Sequence, residues 1–391
     1  MAERDERSSA SGPQLSARPV LRRLSDAGHG GPSAADHLAP PIRADFSTSV
    51  NAYGPAPSVL AAIRDAIDIA RVANYPDPSG TIARRALAMH VDLSPENVAI
   101  GAGATELILA IAQAFVRAGD RVLLPPHAFA EYERATLLSG GSVILPSEER
   151  ESTTSVGVAT SVLAERFVRA VSTRSPRVAF LCSPESPSGR AWPIEDVHAV
   201  ADACAKADTL LVLDQSFDGF TATPLGTPAL RGHPATLHLR SLTKDHALAG
   251  LRVGFVAGPS RVIAAVERAR MPWMLSAPAQ AVAGATCASD AVAHVSDTTA
   301  RLRAAAAEIA AAARQLGFAA VASDAHYLLL DVGDARAFAG ELRARHAIKV
   351  RDCSSFGLPS HIRVAARTPG DNRLLLSVLT AMTAHDSRQT H

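Results

Sequence analysis

Aromatic residues make up only 4% of the 391-residue chain, and its formal net charge is +1, from 39 basic and 38 acidic side chains. A nucleic-acid binder draws on a basic surplus to meet phosphates and on aromatic rings to stack bases, so both shortages argue against that role. Cysteine is scarce as well. Cys182, Cys204, Cys287 and Cys353 are widely spaced and form no Cys-x-x-Cys pair. That spacing excludes a disulfide framework or a cysteine zinc site and fits free thiols in a reducing compartment. The 14 histidines make no His-Glu-x-x-His or similar spacing, so no metal is expected. No Gly-x-Ser-x-Gly elbow points to a serine hydrolase. No run of about eighteen apolar residues occurs, so no membrane span is expected. The chain's start lacks the apolar centre of a signal peptide, and Glu3, Asp5 and Glu6 count against a transit peptide. A cytoplasmic protein is expected.

What remains is a chain long enough for one large and one small domain, with an ordinary hydrophobic content of 47%. Residues 1–25, rich in Ser, Ala, Gly, Pro and Arg, read as a disordered tail, and 26–50 as an arm over the active site. Residues 51–275 alternate helical and strand patterns and predict a large, mostly parallel-sheet domain. Residues 276–391 predict a linking helix, Ala-rich over Leu302 to Leu316, and a small C-terminal α/β domain with strand signals at Leu328–Asp331 and Ile362–Ala365. The fold class is therefore α/β.

Short apolar runs at Val178–Cys182, Leu210–Asp214 and Thr236–Leu239 read as buried parallel strands. Ligands of such sheets bind beyond the carboxyl ends of the strands. Ser186, Asp214 and Lys244 all fall there. Lys244 has hydroxyls before it at Ser241 and Thr243, and Arg252 follows eight residues later. An amine for an aldehyde, beside hydroxyl and cationic donors for a phosphate, is what pyridoxal phosphate needs. Gly103-Ala104-Thr105 opens an apolar-periodic stretch, and the free N–H groups of a helix start favour a phosphate. The competing readings are a surface lysine, a turn-forming Asp and a plain turn before a helix. His127 and His246 lie near these segments as further candidates, against a structural role.

Together these segments resemble the fold-type I pyridoxal phosphate enzymes, the aspartate aminotransferase superfamily. Within it the chain is most similar to the branch holding histidinol-phosphate aminotransferases and threonine-phosphate decarboxylases. The likeness runs from about His29 to Leu379. His29-Gly-Gly and Asp45-Phe-Ser-Thr-Ser-Val-Asn51 resemble the opening motifs of the decarboxylases, as do Pro272-Trp273, Val350–Phe356 and Ile362-Arg-Val-Ala365. The resemblance implies the pyridoxal phosphate-dependent transferase fold and a set of roles. Lys244 would be the Schiff-base lysine and proton carrier, and Asp214 the partner of the pyridine nitrogen. Gly103, Ala104, Thr105, Ser241 and Arg252 would hold the phosphate. Phe129 would stack on the ring, and Ser186 would face its phenolic oxygen. Tyr75 would reach the cofactor phosphate of a partner subunit, implying a homodimer with shared active sites. Arg363 would grip a substrate carboxylate, with Ser49 and His29 near the substrate.

Departures from the family pattern bear on the reaction. Ser186-Pro-Ser-Gly189 stands where the family has Asn-Pro-Thr-Gly, and Phe217 where the aminotransferases have tyrosine. Pro32 and Ser49 replace asparagines of the decarboxylase motifs. The expected activity is chemistry at the α-carbon of an amino acid, with aminotransfer first. Decarboxylation, with or without dioxygen, and a non-catalytic binding protein of the same fold stay as alternatives.

Overall fold

Aliphatic runs of four to six residues, buried on both faces, build the frame that carries the site. The computed structural model describes residues 18–22, 24, 30–31, 36, 41–68, 72–147, 156, 158–227 and 232–389. His29, Pro32 and most of the expected tail and arm lie outside the described residues. Within the expected tail, Pro19–Arg22 forms a 3-10 turn, and Arg18 donates to the carbonyl of Leu138 at 3.3 Å. In chain order the strands are β1 (Ala44–Asp45), β2 (Val98–Gly101), β3 (Arg121–Leu123), β4 (Ser142–Ile144), β5 (Val178–Cys182), β6 (Leu210–Asp214), β7 (Thr236–Ser241), β8 (Gly254–Ala257), β9 (Ala319–Ala320), β10 (Tyr327–Asp331), β11 (Ile348–Lys349), β12 (Arg351–Asp352) and β13 (His361–Ala365).

A seven-stranded sheet has the order β2-β8-β7-β6-β5-β3-β4. It is parallel from β7 to β4, with β8 antiparallel to both its neighbours. Side chains alternate between its faces. Val178 and Phe180 join Leu107, Ile111 and Tyr132 in the core on one side, while Ala179 and Leu181 join Phe167, Trp192 and Val200 on the other. The register sets Cys182 opposite Asp214 and Asp214 opposite Leu239, so β5, β6 and β7 end level. The segments that follow them leave the sheet at one edge, which is the reason for their convergence.

A four-stranded antiparallel sheet, β12-β13-β10-β9, packs through Leu328, Leu330, Ile362 and Val364 on Ala306, Ile309, Ala310 and Ala313. Those alanines and Ile309 belong to the helix Ser289–Gln315, 27 residues and about 40 Å long. The helix begins well before the Ala-rich segment that announces it. Its first half, with Thr298 and Thr299, has weak intrinsic propensity. Tertiary burial of Ala291, Thr298 and Thr299 overrides that weakness, and each threonine hydroxyl donates to a carbonyl one turn back at 2.7 Å. β1 pairs in parallel with β11, which ties the arm to the smaller sheet. Among the described residues no helix is long and apolar enough to cross a membrane, and no cluster of His, Cys, Asp or Glu is placed to hold a metal ion.

Candidate active site

At the carboxyl edge of the larger sheet, facing the smaller one, lies a cavity of about 410 Å³. Ser49, Ala104, Thr105, Phe129, Ser186, Asp214, Ser241, Lys244, Arg252 and Arg363 all line it. Ten residues from eight separate segments thus meet in one place.

Asp214 closes β6 and is buried. One carboxylate oxygen accepts the Ser216 N–H at 2.8 Å, and the other accepts the Tyr132 hydroxyl at 2.6 Å. Burial raises its carboxyl above the usual range, and these hydrogen bonds work in the opposite sense. Tyr132 is itself buried, stacked on Phe180 with ring centroids 4.6 Å apart, and held neutral by burial. It was not singled out in the sequence, where a tyrosine one helical turn after Phe129 reads as core.

Lys244 follows β7, its amine 5.7 Å from the centre of the Phe217 ring. Burial first, then the guanidinium groups of Arg363 and Arg252, lower the amine to about 8, against the pull of Asp214. At pH 7.5 roughly a quarter of such an amine is neutral, compared with roughly 0.1% of an ordinary lysine. Neutral amine is what attacks an aldehyde.

The other end of the cavity is built for an anion. The helix Ala104–Phe115 starts here with no side chain capping its N-terminus. The Ser241 and Thr243 hydroxyls lie 2.6 Å apart, and Arg252 lines the same cavity. Gly103 does not line the cavity but lies under Arg252. Its φ is +82°, and a Cβ there would sit 2.8 Å from the Arg252 guanidinium. A phosphate, a flat ring against Phe129 and a pyridine nitrogen facing Asp214 match these donors and walls, so the residues present fit pyridoxal phosphate. The buried Ser49 hydroxyl has no hydrogen-bond partner among the described residues, which leaves a polar atom for a ligand to satisfy.

Arg363, in the middle of β13, donates to the Ser186 hydroxyl at 2.9 Å and to the Ser47 carbonyl at 3.1 Å, and its Nε has no partner among the described residues. Directly opposite on β12 is Arg351, which donates to the Ser355 hydroxyl at 2.7 Å and also lines the cavity. Like charges facing across a strand pair destabilise it. Neither guanidinium has an ion-pair partner among the described residues. The sequence drew attention to the Val350–Phe356 segment without marking Arg351, because the pairing of strands this short has no local signal.

Other candidates fall outside this constellation. Tyr75 is 83% exposed and leans on Trp273, 5.1 Å between ring centroids, away from this chain's own cavity. His127 does not line the cavity; its Nδ1 donates to the carbonyl of Phe356 at 2.7 Å. A carbonyl can only accept, so Nδ1 carries the proton. His246 lines a different cavity behind the Lys244 loop.

His326, which directly precedes β10 beside β13, is fully buried against Phe220, ring centroids 3.7 Å apart, and neither ring nitrogen has a partner among the described residues. Burial, Arg363 and Lys244 hold its pKa well below the ordinary value. The folded state therefore refuses a proton that the unfolded chain accepts below about pH 6.5, and stability falls as the pH drops through that range. His326→Phe is expected to remove up to ~1.4 kcal/mol per pH unit of that fall. Urea midpoints at pH 7, 6 and 5 check this; parallel curves for both proteins would refute it.

Comparison with known proteins agrees with this geometry. The family profile described as Aminotransferase class I and II matches residues 42–379. A histidinol-phosphate aminotransferase of Symbiobacterium thermophilum is 32% identical over 85% of this chain and 88% of its own. One of Halorubrum lacusprofundi is 33% identical over 83% of this chain and 84% of its own. The crystal structure of a histidinol-phosphate aminotransferase from Sinorhizobium meliloti, in complex with pyridoxal-5'-phosphate, superposes with a TM-score of 0.81 at 26% identity, covering 97% of this chain and all of that one. With a profile matched over most of its length and relatives above 30% identity, the chain belongs to the class I and II aminotransferase family.

Proposed function

We propose that this pyridoxal phosphate-dependent aminotransferase takes the amino group of a small amine that carries two negative charges, as a phosphate monoester or a dicarboxylate. The observation that carries this reading is the pair Arg351 and Arg363, opposed on adjacent strands with no acidic partner among the described residues and both lining one cavity. Guanidinium groups so placed repel each other until an anion lies between them. Histidinol phosphate, the substrate named by the relatives, is the first compound to try.

Bound in this cavity, pyridoxal phosphate supplies an aldehyde for amines and a ring that takes up the electron pair left at the substrate's α-carbon. The roles follow from the residues. Ala104, Thr105, Ser241, Thr243 and Arg252 hold the phosphate. Asp214, fixed by Tyr132 and Ser216, would partner the ring nitrogen and favour its protonated form. Lys244 Nζ would supply the amine that anchors the cofactor, and the same amine is placed to carry the α-proton of a substrate in the cavity. Phe129, Phe217 and Phe356 wall the cavity and limit water. Arg351 and Arg363 orient the substrate, with Ser49 and Ser186 beside them.

Arg351→Ala is expected to raise KM for an anionic substrate by ~10–100-fold, the worth of one or two hydrogen bonds to a charged group, with kcat within a few-fold. The assay offers histidinol phosphate, glutamate, aspartate, alanine and leucine with a keto-acid acceptor. Equal turnover of neutral and anionic amines would refute the substrate class. Carbon dioxide in place of a keto product would favour decarboxylation instead.

We further infer a homodimer. Tyr75 and Trp273 are exposed against each other, Ile82, Met89, Met271 and Met274 are exposed as well, and such apolar side chains suit a second copy. Two sheets with separate cores support a larger and a smaller domain. Ala279, Val282, Ala283 and Ala291, however, pack with Ile100 and Phe255 of the larger sheet, which carries the larger domain past the expected bound of 51–275 into the range 276–391. The four free cysteines support a cytoplasmic location.

A further inference from the structure

Asn51 is 3% exposed in the segment after β1, and every hydrogen-bonding group of its carboxamide is used. Its Nδ2 donates to the carbonyl of Asp245 at 2.9 Å and to the Thr298 hydroxyl at 2.7 Å, and its Oδ1 accepts the Tyr53 N–H at 3.0 Å. Its backbone N–H donates to the carbonyl of Lys244 at 2.9 Å. Turning the amide over would set oxygen against the Asp245 carbonyl, so the network fixes its orientation. One residue thus grips the two carbonyls at Lys244 and Asp245. The third attachment, Thr298, lies in the helix Ser289–Gln315, whose later turns carry the smaller sheet.

We propose that Asn51 is a positioning residue for Lys244, aiming its amine into the cavity and tying it to the helix that bears the smaller sheet. A slackened Lys244 would sample wetter positions, farther from Arg363 and Arg252. Of the charged groups that face it, those two lower its pKa and Asp214 raises it. The inference rests on Lys244 being the reactive amine, but its test is read on protein without cofactor.

The chain has three lysines, Lys206, Lys244 and Lys349, so labelling by formaldehyde and borohydride can be assigned to each by mass spectrometry. In the wild type the labelling of Lys244 should have its pH midpoint at about 8. Asn51→Leu keeps the branched shape of the side chain, adds no charge and removes the side-chain hydrogen bonds. Its expected result is a Lys244 midpoint raised by about one unit, towards the ordinary lysine value. In the loaded enzyme kcat should drop ~10-fold or more with KM little changed. Thr298→Val keeps the grip on both carbonyls and cuts only the tie to the helix; it should move the midpoint in the same direction by less. A purely structural Asn51 would lower the urea midpoint and leave the Lys244 midpoint where it was. That result in folded Asn51→Leu, or in Thr298→Val should the first variant not fold, overturns the proposal. Absent turnover in the wild type would sink the functional reading while the shift in midpoint still stood.

Discussion

Lys244→Ala should yield a folded protein that binds pyridoxal phosphate without the visible absorption of a lysine-bound cofactor and turns over at least ~10³-fold more slowly. The size follows from two losses at one atom. The amine that anchors the cofactor is gone, and so is the group that moves the α-proton, a role typically worth about 10²–10⁴. Folding should survive, because the wild-type residue is a buried cation desolvated and repelled by Arg363 and Arg252. Its removal relieves that repulsion. The measurements are absorbance between 330 and roughly 430 nm, far-UV circular dichroism and keto-acid formation, with added methylamine as a partial chemical replacement. Turnover near the wild-type rate would show that Lys244 is a bystander.

The second large effect belongs to Asp214. Asp214→Asn is expected to lower kcat by ~10²–10³-fold, the scale seen when a preorganised electrostatic partner is removed from a buried site. Asparagine preserves the size of the side chain and can still accept the Ser216 N–H seen at 2.8 Å. What it loses is the charge that faces the ring nitrogen. With the amide oxygen kept on the Ser216 N–H, the amide nitrogen meets Tyr132, whose hydroxyl can accept where it now donates, so the core around Phe180 should not loosen. Steady-state kinetics together with the cofactor's dissociation constant check this, since weaker cofactor retention should accompany the fall in rate. A variant with normal kcat would mean that the carboxylate serves only the hydrogen bonds of Tyr132 and Ser216.

Much of this site was legible in the sequence because parallel strands mark their own ends. The runs closing at Cys182, Asp214 and Ser241 lie next to one another in register, and whatever follows them meets. Lys244, Asp214 and Ser186 were found on that ground, and the Gly103–Thr105 turn as a helix start. The structure narrows the choice further: of the chain's three lysines, Lys206 is exposed and Lys349 is paired with Asp36, which leaves Lys244. Antiparallel neighbours offer no comparable cue. The opposition of Arg351 and Arg363 depends on a two-residue strand finding its place beside β13, which long-range packing decides. Tyr132 escaped notice because a buried tyrosine looks the same in sequence whether its hydroxyl meets a carbonyl or a carboxylate. The early turns of the helix Ser289–Gln315 were hidden by threonines whose burial, not propensity, makes them helical.

The attachment of β1 to β11 divides labour within the cavity. Phe46 gives its N–H to the Lys349 carbonyl and takes one from Ala365, and Arg367 reaches the Asp45 carbonyl at 2.9 Å. Ser47 and Ser49, which stand early in the chain, are therefore bolted to the same plate as Arg351 and Arg363. The cofactor's residues are mounted on the other plate. A change of diet in this enzyme can then be made by exchanging residues 43–49 and 347–367 as one cassette, leaving the chemical engine untouched.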